Sequence, residues 1–376
     1  MGLTYDVTPQ LANNGFTVAE LFAGGGLMAV GLRAAGYDIV WANDFDKSAV
    51  KAYLHNLGDH IVPGDITAID IDSLPDADII AGGPPCQDYS VAGPGAGEEG
   101  ERGKLVWRYL EIIERKQPPA FVFENVKGLI TKKHRPTFDA LLERFKEIGY
   151  TASWRLINAW DYGVAQKRER VFIVGVRNDL GFTFEFPEPR SEDYRTQVLR
   201  DVIGDLPEPF LHERNPQDGR YSSPYLSRNR VVGWNEPAFT VLTNPRDVSI
   251  HPGDSSITME TVRNHTEKHY WSPKSEYTYD QANRVQSMDG PCSTIPAHHN
   301  SGQPIHPTQA PRRFTVRECL RIQSVPDSYV LPDDISLSAQ YRIVGNGVAS
   351  RVSYLLGVAL AEQLRTALGK DVKEAA

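Results

Sequence analysis

Short apolar runs alternate with helix-spaced stretches across the first half of the chain. Residues 17–22, 39–42, 77–81, 120–123 and 171–176 are mostly apolar, the pattern of strands covered on both faces. Residues 27–35, 47–57, 104–116 and 138–148 intervene, with apolar positions three and four apart, as in amphipathic helices. Strands alternating with helices predict an α/β fold built on a doubly wound, mostly parallel sheet. Ligands in such sheets bind outside the carboxyl ends of the strands.

Near Phe182 the texture changes. From there to about residue 311 the chain is rich in Pro, Asn, Ser, Tyr and His and keeps no helical period. Helical spacing returns at 315–323 and 350–368. The expected layout is a discontinuous catalytic domain, 1–180 plus 313–376, with a small, loop-rich, β-containing domain inserted at 181–312. The insert holds a weak internal repeat. Asn229-Arg230-Val231, Pro237, Thr240 and His251-Pro252 recur as Asn283-Arg284-Val285, Pro291, Thr294 and His306-Pro307. Two similar hairpins or chance would produce it, as would two related elements presenting side chains to one extended partner.

Composition narrows the class. At 40% hydrophobic and 23% charged over 376 residues, the chain falls in the ordinary globular range. No apolar run approaches the roughly 18 residues of a membrane span, and residues 1–15 lack the basic stretch of a signal peptide. A cytoplasmic protein with no membrane partner is expected. The three cysteines, Cys86, Cys292 and Cys319, are too few and too scattered for a disulfide framework or a zinc site, so no metal is expected. Net charge is −8, which counts against a nucleic-acid partner. A local cleft can differ from the average, and between Arg220 and Arg313 ten Lys/Arg face eight Asp/Glu.

Candidate chemistry begins at Phe22-Ala23-Gly24-Gly25-Gly26, which follows a strand and opens a helix. Glycines there let backbone approach a ligand at a helix N-terminus. Asp44, 20 residues beyond Gly24, is spaced to accept hydrogen bonds from ribose hydroxyls. Gly64-Asp65-Ile66 could add a carboxylate facing an adenine amino group. Such a pattern fits NAD and S-adenosylmethionine alike.

Gly83-Pro84-Pro85-Cys86-Gln87 separates them. A lone cysteine is usually an inert core residue, but turn-forming, polar flanks leave this thiol partly exposed at the mouth of the sheet. Phe123-Glu124-Asn125-Val126 brings a carboxyl to the same edge, and Gln166-Lys167-Arg168-Glu169-Arg170 brings two guanidiniums. A thiol, a carboxyl and two arginines at one edge make a site.

At these residues the chain resembles the DNA (cytosine-5) methyltransferases. Phe22–Gly26 resembles that family's first motif, Pro84-Pro85-Cys86-Gln87 its nucleophile motif, and Glu124-Asn125-Val126 its acid motif. Gln166, Arg168 and Arg170 match its Gln-x-Arg-x-Arg pattern. Arg102-Gly103-Lys104-Leu105, Arg313-Phe314-Thr315-Val316-Arg317-Glu318 and Gly345-Asn346-Gly347-Val348 resemble three more, all in the family's order. Two positions depart: Asp44 stands where Glu is commoner, and Gly347 where Ser or Ala is, which removes one cofactor hydrogen bond.

The resemblance implies methyl transfer from S-adenosylmethionine to C5 of a flipped cytosine in double-stranded DNA, with Cys86 adding covalently to C6. Glu124 would bind N3 and the exocyclic amine, Arg168 would orient the base or its phosphate, and Arg170 would hold Glu124 or the backbone. Phe22, Gly24, Gly26, Leu27, Asp44, Phe45, Asp65, Ile66, Pro84, Leu105, Asn346 and Val348 would hold the cofactor. Gln87, Ser90, Asn125 and Gln166 would meet the substrate, and Arg228, Arg230, Thr240, Arg246, Arg284 and Thr294 of the insert would recognise DNA. The glycine-rich stretch 93–100 has the composition of a lid. Cys292 and Cys319 are read as packing residues.

A monomeric modification enzyme beside a cognate restriction endonuclease is the expected setting. A transfer-RNA cytosine-5 methyltransferase is the first rival, opposed by an insert of about 130 residues. A catalytically dead DNA-binding regulator is the second, opposed by the intact Cys86, Glu124, Arg168 and glycine turn.

Overall fold

The computed structural model describes residues 10–85, 103–206, 288–293 and 314–369. Among the described residues, seven strands form one sheet: β1 (Thr17–Leu21), β2 (Asp38–Asp44), β3 (Ile61–Pro63), β4 (Ile79–Gly82), β5 (Ala120–Val126), β6 (Tyr150–Asn158) and β8 (Glu169–Arg177). A two-stranded ladder pairs β7 (Gln166–Lys167) with β9 (Cys292–Ser293). The large sheet has the order β3-β2-β1-β4-β5-β8-β6. β1 to β5 run parallel, and β8 lies antiparallel between β5 and β6. The expected doubly wound, mostly parallel sheet is present.

The helices are α1 (Leu27–Ala34), α2 (Lys47–Asn56), α3 (Gly103–Lys116), α4 (Arg135–Glu147), α5 (Leu199–Ile203), α6 (Val316–Ile322), α7 (Leu337–Asn346) and α8 (Ser350–Leu368). Local chemistry fixes their starts. Asp46 caps α2, its Oδ1 accepting from the Ser48 and Ala49 amides at 2.8 and 3.1 Å. Thr315 and Glu318 form a reciprocal capping box on α6, a signature legible as Thr-x-x-Glu.

Two strands of the large sheet lie outside the apolar runs. β6 buries only Tyr150 and Ile157 and leaves Thr151 and Trp154 exposed, because a strand at the sheet edge is only partly covered. β3 buries only Ile61, too little to leave a pattern.

Each face of the sheet buries its own cluster. Ala29, Leu32 and Leu360 of α1 and α8 join Val18 and Val174 on one side, and Leu110, Ile113 and Phe145 of α3 and α4 join Ile80 and Phe121 on the other. A third cluster packs α5, α6 and α7 together, and holds Cys292 and Cys319. Phe184 and Phe186 belong to the first cluster and Leu199, Val202 and Ile203 to the third. Packing with the body therefore continues past residue 180.

The C-terminal helices return to the start of the chain. The Ser350 and Ser353 hydroxyls donate to the Leu27 and Met28 carbonyls at 2.9 and 3.1 Å. Helix α1 approaches so closely that a Cβ on Gly31 would lie 2.1 Å from the Ser350 carbonyl oxygen. Residues 337–368 have the length and hydropathy of a membrane span, and their burial in this packing accounts for that apolarity.

Candidate active site

Strand order locates the site before any side chain does. β1 has β2 on one side and β4 on the other, so the crossovers leaving β1 and β4 diverge. A crevice opens between their carboxyl ends. β1 runs into the glycine turn and β4 into Gly83-Pro84-Pro85, which sets the two motifs side by side. The strands themselves touch closely: a Cβ on Gly82 would lie 2.5 Å from the Leu21 carbonyl oxygen.

The glycines of the turn do different work. Gly26 has φ +81°, and a Cβ there would strike Leu57 at 2.1 Å. Gly25 is pinned from behind, with Ile343 2.4 Å from where its Cβ would be and the Tyr329 hydroxyl donating to its carbonyl at 2.7 Å. Gly24, at φ +57°, has nothing within 4 Å of an added Cβ. It is the glycine that faces open space, and its amide donates to Asp44 Oδ2 at 2.8 Å.

The expected cofactor residues differ in their surroundings. Burial pushes the Asp44 carboxyl up, against the pull of the Asp46 and Gly24 amides. Phe45 is 73% exposed, an aromatic face held free at the end of β2. Asp65 caps a short turn, its Oδ1 accepting from the Thr67 amide and hydroxyl at 2.9 and 2.8 Å. Phe22 and Leu105 are half-buried and Asn346 is exposed. Leu27, Ile66 and Val348 are buried, one in each cluster, so their side chains belong to packing.

At the other side of the crevice β5 delivers Glu124. A Cβ on Gly83 would lie 2.8 Å from Glu124 Oε2, and the Asn125 side-chain amide donates to the Pro84 carbonyl at 3.0 Å. The loop entering Cys86 is thus tied to the end of β5 one residue after its carboxylate. Glu124 is buried, and Arg170 Nε stands 3.1 Å from Oε1. That contact is not aligned as a hydrogen bond, and Oε1 has no other bond of that kind. Burial pushes the carboxyl up, while the charges of Arg170 and then Arg168 pull against it.

Arg168 is buried beside this pair, and its Nη2 donates to the Gly345 and Gly347 carbonyls at 3.0 and 2.9 Å. It braces the turn that carries Asn346. Gln166 is wholly buried, and among the described residues both side-chain amide atoms are unpaired, an expensive state unless something completes it. Cys86, Gln87, Ser90, Arg228, Arg230, Thr240, Arg246, Arg284 and Thr294 lie outside the described residues, as do the stretch 93–100 and most of the internal repeat.

The structure adds a residue that the pattern reading passed over. Glu20 sits inside the first apolar run, 2% exposed, with Oε2 unpaired. Burial, then the charge of Asp44, push its carboxyl up to about 8, while the Ala29 amide opposes them. A lone acid in an otherwise apolar strand was the signal available. Among the described residues no group of three His, Cys, Asp or Glu is placed to hold a metal ion.

A family model described as C-5 cytosine-specific DNA methylase matches residues 16–362. The chain is 34% identical over 370 residues to the Type II methyltransferase M.MthTI of Methanothermobacter thermautotrophicus, spanning 95% of this chain and 98% of that one. It is equally similar, at 34% over 373 residues, to the Type II methyltransferase M.FnuDI of Fusobacterium nucleatum, spanning 94% and 97%. Among solved structures, a candidate DNA modification methyltransferase encoded within an E. coli prophage superposes with a TM-score of 0.64 at 23% identity, covering 93% of this chain and 100% of that one. The S. pombe Dnmt2 methyltransferase superposes at 0.58 with 18% identity, covering 92% and 98%. These two likenesses establish the fold.

Proposed function

The chain belongs to the C-5 cytosine-specific DNA methylase family and is a DNA (cytosine-5) methyltransferase of restriction-modification type, and from that premise we propose that it acts through a covalent Cys86 adduct on a cytosine flipped out of a specific duplex sequence. The carrying observation is the junction of Gly83 and Pro84 with Glu124 and Asn125. It holds the loop entering Cys86 against a buried carboxyl that has an unfilled oxygen.

The donor set fits S-adenosylmethionine. Gly24 leaves room for close approach, Asp44 offers a carboxylate to ribose hydroxyls, and Phe45 offers a free face to adenine. When bound there, S-adenosylmethionine supplies the methyl group that C5 takes. The remaining steps belong to the chain. The Cys86 thiolate adds to C6, and the electrons of the 5,6 double bond move toward C5 and N3. Glu124, whose carboxyl burial pushes up against the pull of Arg170 and Arg168, would share a proton with N3 and so favour the nucleophilic form of C5. Loss of the C5 proton to solvent-borne base then restores the double bond, expels the Cys86 thiolate and returns the N3 proton to Glu124. Arg170 holds the Glu124 carboxyl in place, and Arg168 positions the Asn346 turn.

The cytosine must leave the stack to reach this pocket, at a cost of roughly a few kcal/mol. Gln87, Ser90 and Gln166 would receive it; the unpaired Gln166 amide supports that role. The inserted region, nominally 181–312 between catalytic segments 1–180 and 313–376, would read the duplex through Arg228, Arg230, Thr240, Arg246, Arg284 and Thr294. Packing through Ile203 favours a recognition unit that begins after α5. The enzyme would work as a cytoplasmic monomer paired in function with a restriction endonuclease.

Bisulfite sequencing of plasmid from cells expressing the protein, beside a Cys86→Ala control, tests the reading. Protected cytosines in one recurring context, lost in the control, are expected. No protection, with methyl transfer to tRNA instead, would overturn the DNA assignment. Trapping on duplex DNA containing 5-fluorocytosine, abolished in Cys86→Ser, tests the adduct itself.

A further inference from the structure

A protein of net charge −8 carries one short stretch of the opposite sign at its working edge. From Lys127 to Phe138 the chain reads Lys-Gly-Leu-Ile-Thr-Lys-Lys-His-Arg-Pro-Thr-Phe, with four Lys/Arg, one His and no acid. It begins directly after β5, whose end carries Glu124, and it leads into α4. Val126 pairs with Arg170 across the β5–β8 ladder, so the stretch starts beside the Glu124–Arg170 contact.

The stretch is held firmly. Leu129 is fully buried in the second cluster. The Thr131 hydroxyl donates to the Gly128 carbonyl at 2.7 Å, and the His134 amide to the Thr131 carbonyl at 2.9 Å. Its cations are exposed. Lys127 is 2.9 Å from Glu169, and Arg135 is 2.8 Å from Asp139; both pairs lie in solvent, where such contacts are weak and readily exchanged. Lys132 and Lys133 are exposed and have no acidic partner among the described residues. A rigid turn of uncompensated lysines beside a catalytic crevice is complementary to a polyanion.

We propose that the Lys127–Arg135 turn is a phosphate-contact strip, with Lys132 and Lys133 gripping the duplex backbone that flanks the flipped cytosine. The inference rests on the DNA-methyltransferase reading and deepens it. Lysine at a phosphate acts as a point charge and carries no sequence information. The strip therefore sets affinity and register, while recognition lies elsewhere. Each phosphate contact contributes about 0.9 to the slope of log affinity against log salt, so two lysines account for about 1.8.

The test measures binding of the full chain to a short duplex of random sequence from about 50 to about 200 mM salt. Wild type is compared with Lys132→Ala/Lys133→Ala, with the charge-reversed Lys132→Glu/Lys133→Glu, and with Lys146→Ala on the last turn of α4. The alanine pair should lose about 1.8 of the slope and weaken binding equally on any sequence; charge reversal should weaken it further; Lys146→Ala should match wild type. Thermal midpoints and S-adenosylmethionine binding should stay unchanged. An unchanged slope in both double variants, with wild type binding and methylating DNA, overturns the strip alone. Wild type that neither binds nor methylates duplex DNA overturns the underlying reading as well.

Discussion

Leu27 and Gly347 occupy each other's space: a Cβ on Gly347 would lie 2.3 Å from Leu27 Cδ2, 3.0 Å from its Cβ and 3.1 Å from its Cγ. Leu27 is 1% exposed and sits in the third cluster, so it has little room to yield. Glycine at 347, where the resemblance leads one to expect Ser or Ala, is a packing consequence of leucine at the start of α1. Gly347→Ser should cost about 1 to 3 kcal/mol, as overpacking does. Leu27→Ala in the same chain should recover part of that loss. Thermal denaturation of the two single variants and the double variant measures the coupling; strict additivity would show that the contact is relieved elsewhere.

Glu124 should act as a proton-bearing group. Burial raises its pKa above that of an ordinary carboxyl, so the donor form persists to higher pH and is lost as pH rises through the raised value. Single-turnover methylation should fall on that alkaline side. Glu124→Gln should lower the rate about 10²- to 10⁴-fold, the usual range for general acid catalysis, with cofactor affinity unchanged. A Gln variant that keeps the wild-type rate would remove Glu124 from the chemistry.

Arg168 should act on the cofactor side through the turn that it braces. Its Nη2 bridges the Gly345 and Gly347 carbonyls, and lysine cannot reproduce a planar guanidinium spanning two acceptors. Arg168→Lys should weaken S-adenosylmethionine binding about tenfold by calorimetry while duplex affinity holds. Loss of duplex affinity alone would assign Arg168 to the base or its phosphate.

Glu20 should make stability fall with rising pH. Its carboxyl is held near 8 in the fold against 4.5 in the open chain. Between those values the folded state holds a proton that the unfolded state has released, so stability declines as pH rises from about 4.5 to about 8. The total is on the order of a few kcal/mol. Glu20→Gln should flatten that part of the stability curve and exceed wild type at pH 8 in urea denaturation. Parallel pH profiles for the two proteins would mean that Glu20 is ionised in the fold.

The sequence by itself determined the central strands, the glycine turn and the order of the motifs. Each is written within a few neighbouring residues: an apolar run such as 120–123 encodes burial on both faces, and Thr315 and Glu318 spell a cap that forms locally. The parallel, doubly wound class followed from the alternation of strand and helix, and the strand order came from the structure. Tertiary structure alone decided the rest. It set β6 on an open edge, where Thr151 and Trp154 are exposed, and placed Glu20 where the Asp44 charge reaches it. It also aimed Arg168 at carbonyls some 180 positions away and pressed Leu27 against Gly347. These are contacts between segments far apart in the chain, and their energies depend on distances that no local pattern of hydrophobic and polar residues records.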